Sequence, residues 1–183
     1  KFCDAQSGES HNRSRNWGDE AMKRQMMRNA FVAIAVAYGT PMILGGDEWS
    51  RTQLGNNNAY SDGAYNEYNW YDWGSWQAND ERHRMHAFVK DLLAFRKSHL
   101  YAFAPSDYAM PPAPYAWKDA GNGDMDGGEW NGRVLMIHHW DTGENPELLI
   151  AINMTGGDVT FTLPSRPAWH RRIATQQYFD SAA

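Results

Sequence analysis

Residues 39–48, Gly-Thr-Pro-Met-Ile-Leu-Gly-Gly-Asp-Glu, constrain this chain more than any other stretch. Gly39 and Pro41 punctuate the start. Met42, Ile43 and Leu44 form a continuous apolar run, the pattern of a short strand covered on both faces. Gly45 and Gly46 then let the backbone turn or approach a neighbour closely. The pattern predicts a buried strand over 41–46, with Asp47 and Glu48 at its end. Carboxylates at the C-terminal end of a buried strand sit where α/β proteins place ligand sites. Arg51 is near enough in sequence to pair with either acid.

Helices are expected on both sides. Asp19 is a plausible N-cap, and 20–38 favour helix. Met22, Met26, Met27, Ala30, Phe31, Ile34 and Ala37 recur at spacings of three and four, while Lys23, Arg24 and Arg28 lie off much of that stripe. The methionines read as core packing, and Gly39 as the stop. A second helix is expected over 80–99, capped by Asn79 or Asp80. Its stripe is Met85, Phe88, Val89, Leu92 and Phe95 or Arg96. His83 and His86 near its start lack a third ligand, which makes a poor metal signal.

Between the predicted strand and the second helix, 47–79 read as a long loop over a ligand site. It is too aromatic for disorder: Tyr60, Tyr65, Tyr68, Trp70, Tyr71, Trp73 and Trp76 follow the triplet Asn56-Asn57-Asn58. Asn both donates and accepts hydrogen bonds, and a flat ring covers the apolar face of a sugar. The combination suits a neutral polyhydroxylated ligand.

Composition excludes several classes. The 183 residues carry a net charge of −5 with no basic block, which argues against a nucleic-acid partner. The longest apolar stretch, 30–38, is far too short to span a membrane. The single cysteine, Cys3, allows neither an internal disulfide nor a cysteine zinc site. No cofactor motif is found. There is no initiator Met and no signal-peptide pattern, so the chain reads as cut from something longer, with a cytoplasmic setting favoured.

After His99 the character changes. Pro105, Pro111, Pro112 and Pro114 mark a linker, dividing the chain into 1–104 and 105–183. Four strands are expected in the second part, over 134–139, 148–153, 159–164 and 169–174. Turn residues separate them: Gly143-Glu144-Asn145-Pro146, Gly156-Gly157-Asp158 and Ser165-Arg166-Pro167.

The run Gly39–Glu48 resembles the eighth-strand segment of the α-amylase superfamily, glycoside hydrolase family 13. Its continuation, Arg51-Thr52-Gln53-Leu54-Gly55-Asn56-Asn57-Asn58-Ala59-Tyr60, followed by Trp70-Tyr71-Asp72-Trp73, is similar to the isoamylase and glycogen-debranching branch. Asn12 to Trp17 resemble the segment before that branch's seventh barrel helix. Tyr115–Asp119 with Asp126–Trp130 resemble its W-x-x-x-D-G-x-E region in loosened form. The resemblance implies the last αβα portion of a (β/α)8 TIM barrel, followed by an antiparallel β-sandwich domain. It further implies a retaining hydrolase of α-1,6 branch linkages in glycogen or starch.

In that family the three catalytic carboxylates come from the fourth, fifth and seventh barrel strands, which would lie outside this chain. No catalytic residue is therefore assigned, and the fragment alone is expected to be inactive, with the N-terminal barrel portion as its natural partner. Asp47 and Glu48 are assigned structural roles, Glu48 bonding backbone amides or an arginine such as Arg51 or Arg96. Trp49, Arg51, Asn56, Asn57, Asn58 and Tyr60 are the candidate α-glucan contacts. The competing reading of these residues has the asparagines bonding the loop's own backbone and Arg51 pairing with Asp47 or Glu48. For the whole chain the alternatives are a stand-alone carbohydrate-binding or structural module, and an unrelated α+β domain.

Overall fold

The computed structural model describes residues 17–56, 59, 66–104, 115–141 and 143–176. In chain order its elements are helix α1 (Glu20–Val36), a 3₁₀ turn at Asp47–Trp49, helices α2 (Trp73–Gln77), α3 (Asp80–Ser98) and α4 (Leu100–Phe103), strand β1 (Tyr115–Lys118), a 3₁₀ turn at Glu129–Asn131, and strands β2 (Val134–His139) and β3 (Leu148–Asn153). They divide into two compact units: 1–37 with 41–97 and 172–183, and 38–40 with 98–171. Among the described residues no helix is long and apolar enough to cross a membrane.

The first unit is built on α1 and α3. Asp19 starts α1, its Oδ1 accepting the Met22 N–H at 2.7 Å. Phe31 and Ala35 of α1 are buried with Met85, Phe88, Val89 and Leu92 of α3, and Met27, Val32, Ile43 and Ile173 pack around them. Each large side chain buried there contributes about 1.5–3 kcal/mol. The α3 stripe is the one expected, with Arg96 rather than Phe95 at its end. The α1 stripe is rotated from expectation: Met22 and Ala30 are exposed, and Arg28 is buried.

Both buried arginines cap backbone. Arg28 donates from Nε to the Thr175 carbonyl at 2.8 Å and from Nη2 to that of Gln176 at 3.3 Å. Arg96 donates from Nη1 to the carbonyl of Ala35, and to that of Ala37 at 2.8 Å. The last carbonyls of a helix lack partners within it. A guanidinium at that end supplies donors and a charge of the favourable sign.

Met42, Ile43 and Leu44 do not form the expected ladder strand. Residues 41–44 have no regular structure and pair with no strand among the described residues. Met42 is 90% exposed and Leu44 56%, whereas Ile43 turns into the core. An extended apolar segment becomes a strand only when a neighbour takes up its N–H and C=O groups.

The second unit holds one antiparallel sheet in the order β1-β2-β3. Tyr115 faces His139 across β1 and β2, and Val134 faces Asn153 across β2 and β3. Met136, Ile137, His138 and His139 are all buried, so the end of the central strand is covered on both faces. His139 lies against Tyr115, with ring centroids 5.6 Å apart, and against Phe103 of α4 at 6.0 Å. His138 bonds Glu147, whose other oxygen pairs with Arg166.

The strands expected over 159–164 and 169–174 are absent. What remains of a ladder is one hydrogen bond from Thr162 N–H to the Ala120 carbonyl, at 2.8 Å. The described residues thus hold a three-stranded sheet, and the alternation of Val159–Leu163 reflects facing rather than pairing.

Two stability predictions follow from this packing. Arg96→Met keeps most of the stem but leaves the Ala35 and Ala37 carbonyls without their donor. It should cost about 3 kcal/mol in urea unfolding, and a loss under about 0.5 kcal/mol would contradict the capping role. His139 is held neutral, its pKa lowered from 6.5 to about 4 by burial and by the neighbouring His138. The unfolded chain therefore binds a proton that the native state refuses. Stability should be full above pH 6.5 and fall as pH drops toward about 4, by at most about 3 kcal/mol. In His139→Gln, acid unfolding curves should lose that slope, and an unchanged slope would refute the assignment.

Candidate functional site

The double glycine makes a tight turn that aims the following residues. Gly46 has φ +100°. The Asp47 N–H bonds the Leu44 carbonyl at 3.0 Å, and the Arg51 N–H bonds the Gly46 carbonyl at 2.9 Å. Glu48 folds back on the turn, its Oε2 accepting the Gly46 N–H at 2.7 Å. A Cβ at Gly46 would stand 2.7 Å from Arg51 Cδ, and one at Gly45 would stand 2.6 Å from the Tyr71 hydroxyl. Glycine is thus required at 46 by both backbone and space. At 45 it lets Tyr71 close in.

Asp47 and Glu48 lie on this 3₁₀ turn and not at the end of a strand. Glu48 bonds a backbone amide, one of the two roles expected for it. The Asp47 carboxyl has its pKa raised by partial burial, with the Arg51 charge opposing and the Glu48 charge adding to the rise. Arg51 pairs with neither acid. It donates to the Tyr68 carbonyl and to Gln53 Oε1, both at 3.2 Å.

The turn buries Trp49, 3% exposed, as the floor of an aromatic cluster. Trp73 stacks on it at 6.1 Å and 17°, and Tyr71 stacks on Trp73 at 5.4 Å and 22°. Trp76 meets Trp49 edge-on at 5.9 Å, and also packs against His83 and His86. Arg51 lies over Tyr71 at 5.4 Å and Arg82 over Trp49 at 5.2 Å. Asp72 holds the segment, its Oδ1 capping α2 at Ser75 N–H, 3.0 Å away.

Trp49, Arg51, Tyr71, Asp72, Trp73 and Arg82 line an open cleft of about 460 Å³, with Trp70, Thr52, Leu54 and Glu67 on its walls. Trp70 and Trp73 are 60% and 62% exposed. Its chemistry is flat apolar faces edged by charged donors and acceptors, which suits a ligand with alternating C–H faces and hydroxyls.

Of the candidate contacts, Trp49 and Arg51 come together in this cleft. Asn56 does not line it. Asn56 is buried beside Gln53, its N–H bonding the Gln53 carbonyl at 2.9 Å and its own carbonyl accepting from Gln53 Nε2 at 3.0 Å. Asn57, Asn58 and Tyr60 lie outside the described residues. Two other asparagines bond the loop's own backbone: Asn66 Oδ1 accepts the N–H groups of Tyr68 and Asn69, and both amides donate to the Ala59 carbonyl. Sequence reasoning passed over Arg82. A charged residue in the first turn of a helix gives no sign that it faces a cleft.

No family model matches this chain. Among curated proteins it is similar to the isoamylase of Pseudomonas amyloderamosa, 29% identical over 169 residues, covering 88% of this chain and 21% of that protein. It is 35% identical over 103 residues to the chloroplastic isoamylase SU1 of Zea mays, covering 51% of this chain and 12% of that protein. The glycogen operon protein GlgX homolog of Mycobacterium tuberculosis strain H37Rv is 48% identical over 62 residues, 29% of this chain and 9% of that protein. The chain thus spans about a fifth of the length of the Pseudomonas isoamylase. Sequence motif and relatives agree: the relatives the chain is similar to are named isoamylase and GlgX, which matches its resemblance to the debranching branch of the α-amylase superfamily.

Proposed function

We propose that this chain is part of an α-1,6-glucan debranching glycoside hydrolase, and that it holds the glucan while other residues cut it. The observation that carries this reading is the open cleft in which buried Trp49 supports the exposed Trp73 and Tyr71, with arginines at the rim. A glucosyl ring stacks its C–H face on indole and leaves its hydroxyls to the polar edge. The names of the relatives, isoamylase and glycogen operon protein, support an α-glucan as the substrate class.

In this reading Met42–Leu44 is the last strand of a (β/α)8 barrel, with α1 and α3 as its flanking helices. The exposure of Met42 and Leu44 fits a segment whose neighbours belong to the rest of that barrel. The sheet β1-β2-β3 is then part of the β-sandwich domain. The candidate contacts remain Trp49, Arg51, Asn57, Asn58 and Tyr60, with Asn56 supporting the loop from within.

A retaining pair needs two carboxylates about 5 Å apart across the scissile bond, one protonated and one ionised. Asp47 and Glu48 are sequence neighbours on one tight turn, and Glu48 is already engaged by the Gly46 N–H. Neither takes a catalytic role here, and the cleaving groups come from the remainder of the enzyme.

Maltoheptaose should quench the tryptophan fluorescence of this chain, while incubation with glycogen should release no reducing ends. Trp73→Ala should weaken the sugar affinity by about tenfold, with the melting temperature nearly unchanged because Trp73 is exposed. Release of reducing ends, or an affinity untouched by Trp73→Ala, would contradict the proposal.

A further inference from the structure

We propose that Arg82 is a further glucan-contacting residue, whose guanidinium donates to adjacent hydroxyls of a sugar unit seated in the Trp49 cleft. The inference rests on the glucan reading of that cleft and adds a residue and a specificity to it. On the helices and the turn of the first unit, Arg24 and Arg84 pair with glutamates one helical turn away, and three other arginines are spoken for by backbone. Arg28 and Arg96 donate to carbonyls at the ends of segments, and Arg51 donates to the Tyr68 carbonyl and to Gln53. Arg82 differs. It lines the cleft, and its guanidinium makes no hydrogen bond or ion pair among the described residues.

It is nevertheless held in place. Its own N–H bonds the Asn79 carbonyl at 3.1 Å and Asn79 Oδ1 at 3.2 Å, fixing its root in the first turn of α3. Its guanidinium lies 5.2 Å from the centroid of Trp49, a ring the Gly45–Gly46 turn has already immobilised. A guanidinium resting on a ring keeps its N–H groups free at its edge, in a planar fork. A pair of neighbouring sugar hydroxyls offers two acceptor oxygens to such a fork.

Charge points to a neutral ligand over an anionic one. The cleft carries Arg51 and Arg82 but also Glu67 and Asp72, two charges of each sign. A phosphate would meet both carboxylates, whereas a hydroxyl can donate to the acids and accept from the arginines. Arg82 therefore selects for a sugar that bears both hydroxyls, and discriminates against one lacking either.

The test is calorimetric titration of maltoheptaose into the chain and its Arg82→Gln and Arg82→Lys variants, with melting temperatures measured in parallel. The expected result is binding by the unaltered chain and a loss of about tenfold in both variants at unchanged melting temperature. Lysine is expected to fail because it keeps the charge without the fork. Full affinity in Arg82→Gln would overturn the role of Arg82 and leave the cleft reading standing. Lost affinity that tracks a lowered melting temperature, with both restored by lysine, would make Arg82 a prop for Trp49 and also overturn it. No binding by the unaltered chain would overturn the glucan reading and this inference together.

Discussion

A side chain at position 46 would run into Arg51, and that exclusion organises the whole neighbourhood of the cleft. With glycine there, the backbone takes a positive φ that other residues resist, and the chain reverses within three residues. The reversal drops Trp49 into the interior and brings Arg51 back over the turn. Gly45 does the same for Tyr71, whose hydroxyl occupies the space a Cβ would need. Each ring then positions the next: Trp49 supports Trp73, and Trp73 supports Tyr71. Exposed indoles normally wander among rotamers at an entropic cost to any ligand. Here stacking on a buried ring removes much of that freedom in advance.

The platform beneath is held by charge used in an unusual place. Arg28 and Arg96 are buried, and both spend donors on backbone carbonyls. Arg96 joins α3 to the end of α1, and the apolar stripe of Met85, Phe88 and Leu92 seals the same contact. Because α3 also carries Arg82 near its start, the helix that closes the core also presents a cleft residue. Scaffold and cleft wall are two stretches of one element.

The helices were readable because a stripe of spacing three and four survives in α3 almost unbroken. In α1 the pattern misplaced the face. Arg28 is drawn inward by carbonyls at Thr175 and Gln176, nearly 150 positions away, which no local window reveals. Strands β2 and β3 were readable as apolar runs between turn residues. Met42–Leu44 and Val159–Leu163 look equally strand-like, but a strand is a relation between two segments, and neither finds a ladder partner among the described residues. At the cleft, Trp49 and Arg51 stood out through the adjacent glycines. Asn56 reads as a contact because amides serve sugars and backbone alike; it is buried, with its main-chain N–H and C=O both bonded to Gln53. Arg82 left no sign, since its place in the cleft comes from the ring it covers.

The central claim is that the Gly45–Gly46 turn presents an aromatic cleft that receives an α-glucan chain. Hydrogen–deuterium exchange of the chain with and without a branched maltooligosaccharide tests it most directly. Protection should appear in two separate stretches, 49–54 and 70–76, while the β1-β2-β3 sheet exchanges as before. Protection confined to the sheet, or none at a saturating sugar concentration, would contradict the account.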